Sequence, residues 1–246
     1  KGGWVVETKN RDTGEVRSFR ARCIVNCAGP WVTDVITNVA GSNSSRNVRP
    51  VKGSHIIVPK FWSGANAYLV QNHDKRVIFI NPYEGDKALI GTTDIAYEGR
   101  AEDVSADEKE IDYLLTAVNR YFKEKLRRED VLHSFSGVRP LFDDGKGNPS
   151  AVTRDYVFDL DETNDAPLLN VFGGKITTFR ELAQPCMHRL KHNFPHMRRD
   201  WTPGSLLPGA QIPHVAYEPF ANRPRAPSPS MPRKLLLPNV LPHRPR

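Results

Sequence analysis

The run Ala21-Arg22-Cys23-Ile24-Val25-Asn26-Cys27-Ala28-Gly29, continued by Pro30-Trp31-Val32-Thr33-Asp34-Val35-Ile36, decides the fold class. Its first half is a short apolar stretch of the kind buried on both faces in a parallel sheet. Gly29-Pro30 stops it, and the following residues predict a helix with Pro30 near its first turn. Strand, small residues and helix in that order make a backbone-lined ligand site at the carboxyl edge of a sheet. Leu168–Phe172 followed by Gly173-Gly174-Lys175-Ile176-Thr177-Thr178 repeats the theme. There a buried strand enters a helix from Thr178 to about Lys191, which Pro185 should kink or shorten. Two glycines let backbone approach a ligand, and a helix start offers free N–H groups and a positive dipole end.

Around these runs the pattern changes. Trp4–Thr8 and Glu15–Arg20 flank an Asn10–Gly14 turn and predict a hairpin. Ser54–Pro59, Ala67–Gln71, Arg76–Pro82 and Ala88–Thr92 are separated by Gly, Asn and Asp turns, which predicts an antiparallel sheet. Ser105-Ala106-Asp107-Glu108 reads as a capping box opening a helix with Ile111, Leu114, Leu115, Val118, Phe122 and Leu126 on one face, acids leading and Lys123, Lys125, Arg127 and Arg128 closing. Further strands are expected at Val131–Val138 and Ala151–Phe158. Thr92-Thr93-Asp94 reads as a structural turn.

Composition bounds the rest. The 246 residues leave ample room for a core, and no apolar run approaches the roughly 18 residues of a membrane span. Cys23, Cys27 and Cys186 form an odd set without a C-x-x-C, against a disulfide framework or cysteine zinc site and in favour of a reducing compartment. His73, His133, His188, His192 and His196 show no metal-ligand spacing, so no metal site is expected. From Thr202 onward six basic residues face only Glu218, placing +5 of the +7 formal charge in a stretch with 11 of the 20 prolines. Residues 213–246 read as a disordered, solvated tail, and nucleic-acid binding is not expected. The chain begins at Lys1 within a strand-like run and reads as an internal fragment.

Asn26-Cys27-Ala28-Gly29-Pro30-Trp31, Val51-Lys52-Gly53-Ser54-His55, Ile90-Gly91-Thr92-Thr93-Asp94, Ser136-Gly137-Val138-Arg139-Pro140, Thr153-Arg154-Asp155-Tyr156 and Phe172–Thr178 stand in a fixed order. In this order they resemble the FAD-dependent, aerobic respiratory glycerol-3-phosphate dehydrogenases from about Trp4 to Gly209. The resemblance implies an α/β plus α+β architecture, with part of a Rossmann-like FAD-binding domain (1–45 and 168–200) interleaved with an antiparallel-sheet substrate domain (46–167), then a Pro-rich basic tail (201–246). The family's G-x-G-x-x-G would lie upstream of Lys1, and its helical C-terminal domain is replaced by the tail. The implied reaction oxidises sn-glycerol 3-phosphate to dihydroxyacetone phosphate by hydride transfer to FAD. Quinone would be the electron acceptor, attachment peripheral on the cytoplasmic face of the inner membrane, and the assembly a homodimer.

That chemistry needs a base near neutrality, a phosphate cradle and positive potential beside the flavin. His55 is the candidate base, as proton acceptor or as orienter of the hydroxyl. Arg139, Arg154 and Lys175 are candidates for the substrate phosphate, since guanidinium forks match phosphate oxygens, and Arg139 and Lys175 are counted with His55 as catalytic. Ala28, Gly29, Gly173, Gly174, Lys175, Thr177 and Thr178 are candidates for the cofactor. The plainer accounts are a satisfied histidine, strand-edge ion pairs and a capped turn. Two rival functions are an amine or amino-acid oxidase of the same flavin group and a non-catalytic basic binding module.

Overall fold

The computed structural model describes residues 2–143, 155–163 and 166–207. Its first strands, β1 (Trp4–Lys9) and β2 (Val16–Ala21), pair antiparallel as the predicted hairpin. Next, β3 (Ile24–Asn26) lies parallel to a late strand, β11 (Leu168–Gly173), in register Asn26 to Asn170. The parallel pairing holds as expected. Burial on both faces does not: Val25 is exposed, because β3 is the edge of a three-stranded sheet and its outer face is uncovered. A helical segment follows, with a 3-10 turn at Gly29–Trp31, α1 (Val32–Asp34) and a π-turn at Val35–Val39. It seats Val32 and Ile36 against Phe172.

The antiparallel sheet is built on β4 (Val48–Pro59), the longest strand among the described residues. One edge of β4 pairs with β7 (Lys87–Gly91) through His55–Pro59 and with β8 (Ile95–Ala96) through Val51 and Lys52. Its other edge pairs along its whole useful length with β9 (His133–Phe142). Beyond β7 lie β6 (Val77–Tyr83) and β5 (Tyr68–Gln71). Period-2 alternation divides the faces. Ile56, Val58, Ile78, Ile80, Ala88 and Ile90 turn inward onto Leu114, Leu115, Ala117 and Val118 of α2 (Glu108–Tyr121). Truncating a fully buried member such as Leu114 to Ala would cost about 2–5 kcal/mol.

The helix differs from its sequence reading at both ends. Asp107, not Ser105, is the N-cap: its side chain accepts from the Glu110 N–H at 2.9 Å, and Glu110 reaches back to the Asp107 N–H at 3.1 Å. The helix stops at Tyr121 because Phe122 turns extended to enter an edge-on aromatic cluster with Phe61 and Tyr68. The Asn119 side chain then bridges to the backbone of Leu126, outside the helix.

The chain returns through β10 (Tyr156–Asp161), antiparallel to β11. A 3-10 turn at Ile176–Thr178 leads into α3 (Phe179–Arg189), which continues through Pro185. Lys1–Asn193 forms one compact unit and Phe194–Arg246 a second, in which the described structure is a 3-10 turn at Thr202–Gly204. The predicted disordered tail at 213–246 lies outside the described residues.

Candidate active site

The side of the antiparallel sheet away from α2 carries one continuous cross-strand row, Phe79, Gly91, His55 and Phe135, on four neighbouring strands. The His55 imidazole stacks on Phe135 with centroids 5.2 Å apart and planes 8° from parallel. On its other side it lies down over Gly91, where a Cβ would come within 2.1 Å of Cδ2. One strand pair further along, the Arg139 guanidinium lies over Gly53, where a Cβ would sit 2.4 Å from both terminal nitrogens. Each glycine therefore leaves the recess that lets a long polar side chain lie flat on the sheet.

Among the described residues, His55 Nδ1 is buried without a hydrogen-bond partner. Burial, and next the positive charge of Arg139, push the imidazole below its ordinary 6.5. At neutral pH it is therefore a neutral ring able to accept a proton. Arg139 donates to Asp94 Oδ1 at 2.8 Å, to Thr92 Oγ1 at 2.8 Å and to the Thr93 carbonyl at 3.3 Å. Thr92-Thr93-Asp94, read from sequence as a plain structural turn, is thus the seat of the arginine.

Beneath this face lies a buried ionic network. Glu110, whose side chain is 1% exposed, accepts from Lys52 Nζ at 2.8 Å and from Ser54 Oγ and Thr93 Oγ1 at 2.7 Å each. Lys52 also reaches Asp107 at 3.1 Å. Burial opposes the charge on Glu110, but hydrogen bonds from Lys52, Thr93 and Ser54 hold its carboxyl below the usual range. Burial also opposes the charge on Lys52, but its bonds to Glu110 and Asp107 outweigh it and raise the ammonium.

The carboxyl ends of β3 and β11 present two turns side by side. Gly29 (φ 58°) opens one; Gly173 (φ 72°) and Gly174 (φ 84°) form the other. A Cβ on Gly29 would meet Pro140 at 3.8 Å, and one on Gly173 would meet the Phe142 N at 3.4 Å. Strand β9 therefore carries Phe135 and Arg139 on the open sheet face and then runs against both turns. The glycine pair also answers to the protein itself, since a Cβ on Gly173 would come within 2.8 Å of the Asp155 carbonyl. At Gly174 a Cβ would strike the Tyr156 ring, whose hydroxyl donates to the Lys175 carbonyl.

The residues fit FAD, the cofactor expected from sequence. Two backbone turns stand at the carboxyl edge of a parallel pair. The 3-10 turn that leads into α3 has no side-chain cap, and Ile176 and Phe179 are exposed there. An apolar sheet face with a buried, unpartnered imidazole nitrogen lies beyond β9.

His55 and Arg139 are thus brought to one face. Ala28 and Gly29 are partly buried in the first turn, while Lys175 and Thr177 are exposed on the second. Thr178 Oγ1 bonds the Lys175 carbonyl at 3.1 Å and Tyr156 at 2.9 Å. Arg154 lies outside the described residues. Sequence reading missed Asp94, Thr92, Glu110, Lys52, Gly91 and Phe135. The signal for Glu110 was its place three residues after Asp107, the spacing of a box closed on a buried side.

The profile described as FAD dependent oxidoreductase matches residues 1–174. The chain is 83% identical over 235 residues to D-erythritol 1-phosphate dehydrogenase of Brucella abortus, covering 96% of this chain and 47% of that protein. It is 44% identical over 212 residues to the aerobic glycerol-3-phosphate dehydrogenase of Escherichia coli, covering 86% of this chain and 42% of that one. The glycerol-3-phosphate dehydrogenase of Bacillus halodurans, solved with FAD, superposes with a TM-score of 0.66 at 28% identity, over 80% of this chain and 37% of its own. The chain spans about half the length of the curated relatives it matches. With a neutral imidazole and a seated guanidinium on one sheet face and two backbone turns beside it, this chain belongs to the FAD-dependent oxidoreductase family.

Proposed function

We propose that the chain supplies the substrate face of an FAD-dependent polyol-phosphate dehydrogenase, with D-erythritol 1-phosphate as its favoured substrate. The observation that carries the reaction class is the pairing of a neutral His55 with Arg139 on one open sheet face. Similarity supports the four-carbon substrate: identity is 83% to the D-erythritol 1-phosphate enzyme and 44% to the glycerol-3-phosphate enzyme. The narrower expectation of sn-glycerol 3-phosphate becomes the second reading.

FAD, when bound, supplies the hydride acceptor, so the chain's own task is to hold the substrate and take one proton. Arg139, fixed by Asp94 and Thr92, presents an oriented cation to the phosphate, joined in this reading by Arg154 and Lys175. His55 takes the hydroxyl proton at Nε2, since Nδ1 is buried. The surroundings that keep the ring neutral also disfavour the imidazolium, so the proton passes on readily. Ala28, Gly29, Gly173, Gly174, Lys175, Thr177 and Thr178 line the cofactor's side. The reading extends to a quinone as electron acceptor and to peripheral attachment at the cytoplasmic face of the inner membrane as a homodimer. Among the described residues no helix is long and apolar enough to cross a membrane.

The test is a dye-coupled assay of the holoenzyme with D-erythritol 1-phosphate, sn-glycerol 3-phosphate, erythritol, glycerol and glycine. The highest kcat/KM is expected on D-erythritol 1-phosphate. Equal or better use of glycerol 3-phosphate would sink the four-carbon assignment, and preference for glycine the polyol assignment. Membrane sedimentation and quinone reduction test the acceptor and attachment.

A further inference from the structure

The buried network below the sheet is connected to the arginine above it by one residue. Thr93 Oγ1 donates to Glu110 Oε1 at 2.7 Å and accepts from the Ser54 N–H at 2.9 Å. Its own carbonyl, on the opposite side of the backbone, accepts from Arg139 at 3.3 Å and from Thr92 Oγ1 at 3.1 Å. Thr92 Oγ1 and Asp94 Oδ1 each accept a further Arg139 bond at 2.8 Å. The three residues that seat the guanidinium follow directly after β7. What holds their middle member is a buried carboxylate on another element, the first turn of α2.

We propose that Glu110 and Thr93 are positioning residues for Arg139, with the buried carboxylate locking the Thr92–Asp94 segment under the guanidinium from below. The inference rests on the reading of Arg139 as the group that meets the substrate phosphate. Two features favour it over a purely structural ion pair. Glu110 is bonded on both oxygens, by Lys52 and the Asp107 N–H on one and by Ser54 and Thr93 on the other. A buried carboxylate needs both oxygens satisfied, and here Ser54 continues to Ser136 Oγ at 2.6 Å while Thr93 continues through its own carbonyl to Arg139. A charged acceptor also makes the lock stiffer than a neutral one, because hydrogen bonds to an ionised group are the stronger class.

The test compares Thr93→Val, which keeps the shape and removes the hydroxyl, with Thr93→Ser, which keeps the hydroxyl. Glu110→Gln is added because it offers an amide N–H₂ to donors on one side. In the holoenzyme Thr93→Val should raise KM for D-erythritol 1-phosphate about tenfold or more, with kcat within roughly twofold. Thr93→Ser should restore KM. A crystal structure of Thr93→Val should show the guanidinium displaced from Asp94. The inference is overturned if Thr93→Val leaves both KM and the guanidinium position unchanged. It is equally overturned if Val and Ser variants lose FAD content and melting temperature alike, since that is the signature of a fold role. Glu110→Gln, if it folds, should reproduce the Val phenotype; a wild-type KM with a wild-type Arg139 position would overturn the part assigned to the carboxylate. Failure of the phosphate reading is separable: Arg139→Ala would then keep the preference for phosphorylated over plain polyol, and the guanidinium position in the Thr93 variants alone would decide the positioning.

Discussion

Gly91→Ala adds a single methyl group at the point where the His55 ring crosses β7. Gly91 has no positive φ, so the side chain of alanine is not excluded by a left-handed backbone there. The new Cβ would sit 2.1 Å from Cδ2 and 2.6 Å from Cγ and Nε2, whereas ordinary contact begins at 3.4 Å. The ring must therefore retreat by about 1.3 Å, and Cγ is too near the backbone for a simple swing of the tip to relieve it. Phe135, stacked 5.2 Å away, blocks escape along the row, so the imidazole must lift off the sheet toward the substrate side. Overpacking of this kind costs about 1–3 kcal/mol of stability. A reacting group misplaced by about 1 Å loses on the order of 10²-fold in rate, near 2.7 kcal/mol.

The expected result is a folded, flavin-loaded Gly91→Ala enzyme with kcat/KM down by roughly 10²-fold and a modestly lower melting temperature. Turnover, flavin absorbance and thermal unfolding measured on one preparation separate these effects. Gly137→Ala is the stability control: it lies on the same face, its Cβ would meet nothing within 4 Å, and its φ is not positive. It should stabilise by about 0.4–1 kcal/mol through the unfolded chain. If Gly91→Ala retains wild-type turnover while folded, the ring position over Gly91 is not the reactive one, and His55 loses its place in the reaction.

Further outcomes concern Arg139, His55 and the Lys52–Glu110 pair. Arg139→Ala should weaken D-erythritol 1-phosphate by about 2–4 kcal/mol while leaving the poor rate on erythritol unchanged; a proportional fall on both would make Arg139 a support of the fold. The acid limb of kcat/KM should lie below pH 6.5, because burial and Arg139 depress His55, and Arg139→Met should move it upward. By linkage the unfolded chain then binds the His55 proton more readily, so this contribution to stability is whole above about pH 6.5 and is lost as pH falls below it, measurable by urea midpoint. Lys52→Met should cost about 3–5 kcal/mol, since it strands a buried carboxylate. Glu110's contribution should persist above the ordinary 4.5 and disappear as pH falls through its depressed folded pKa.

Strand positions were legible because they follow from alternation within a few neighbouring residues: each predicted run from the first hairpin to β7 contains a strand, though β4 begins six residues before Ser54 and β3 is only Ile24–Asn26. Burial was less legible, since it depends on what covers a strand: Val25 reads as core and is exposed because nothing described lies over the edge of β3. Register was not legible at all. That His55 faces Gly91 on one side and Phe135 on the other depends on the pairing of three strands separated by loops of unrelated length. The site divides along the same line. His55 and Arg139 could be named from residue type within their motifs, because imidazole and guanidinium chemistry belongs to the residue. Their partners could not, because Asp94 serves Arg139 from 45 positions away and Glu110 serves Ser54 from 56 positions away. The glycines show why this matters. A glycine in a strand reads locally as weakness or a bulge, yet Gly53 and Gly91 are the floor on which the Arg139 and His55 side chains lie. Which glycine lies beneath which side chain follows only from the register that brings β4, β7 and β9 together.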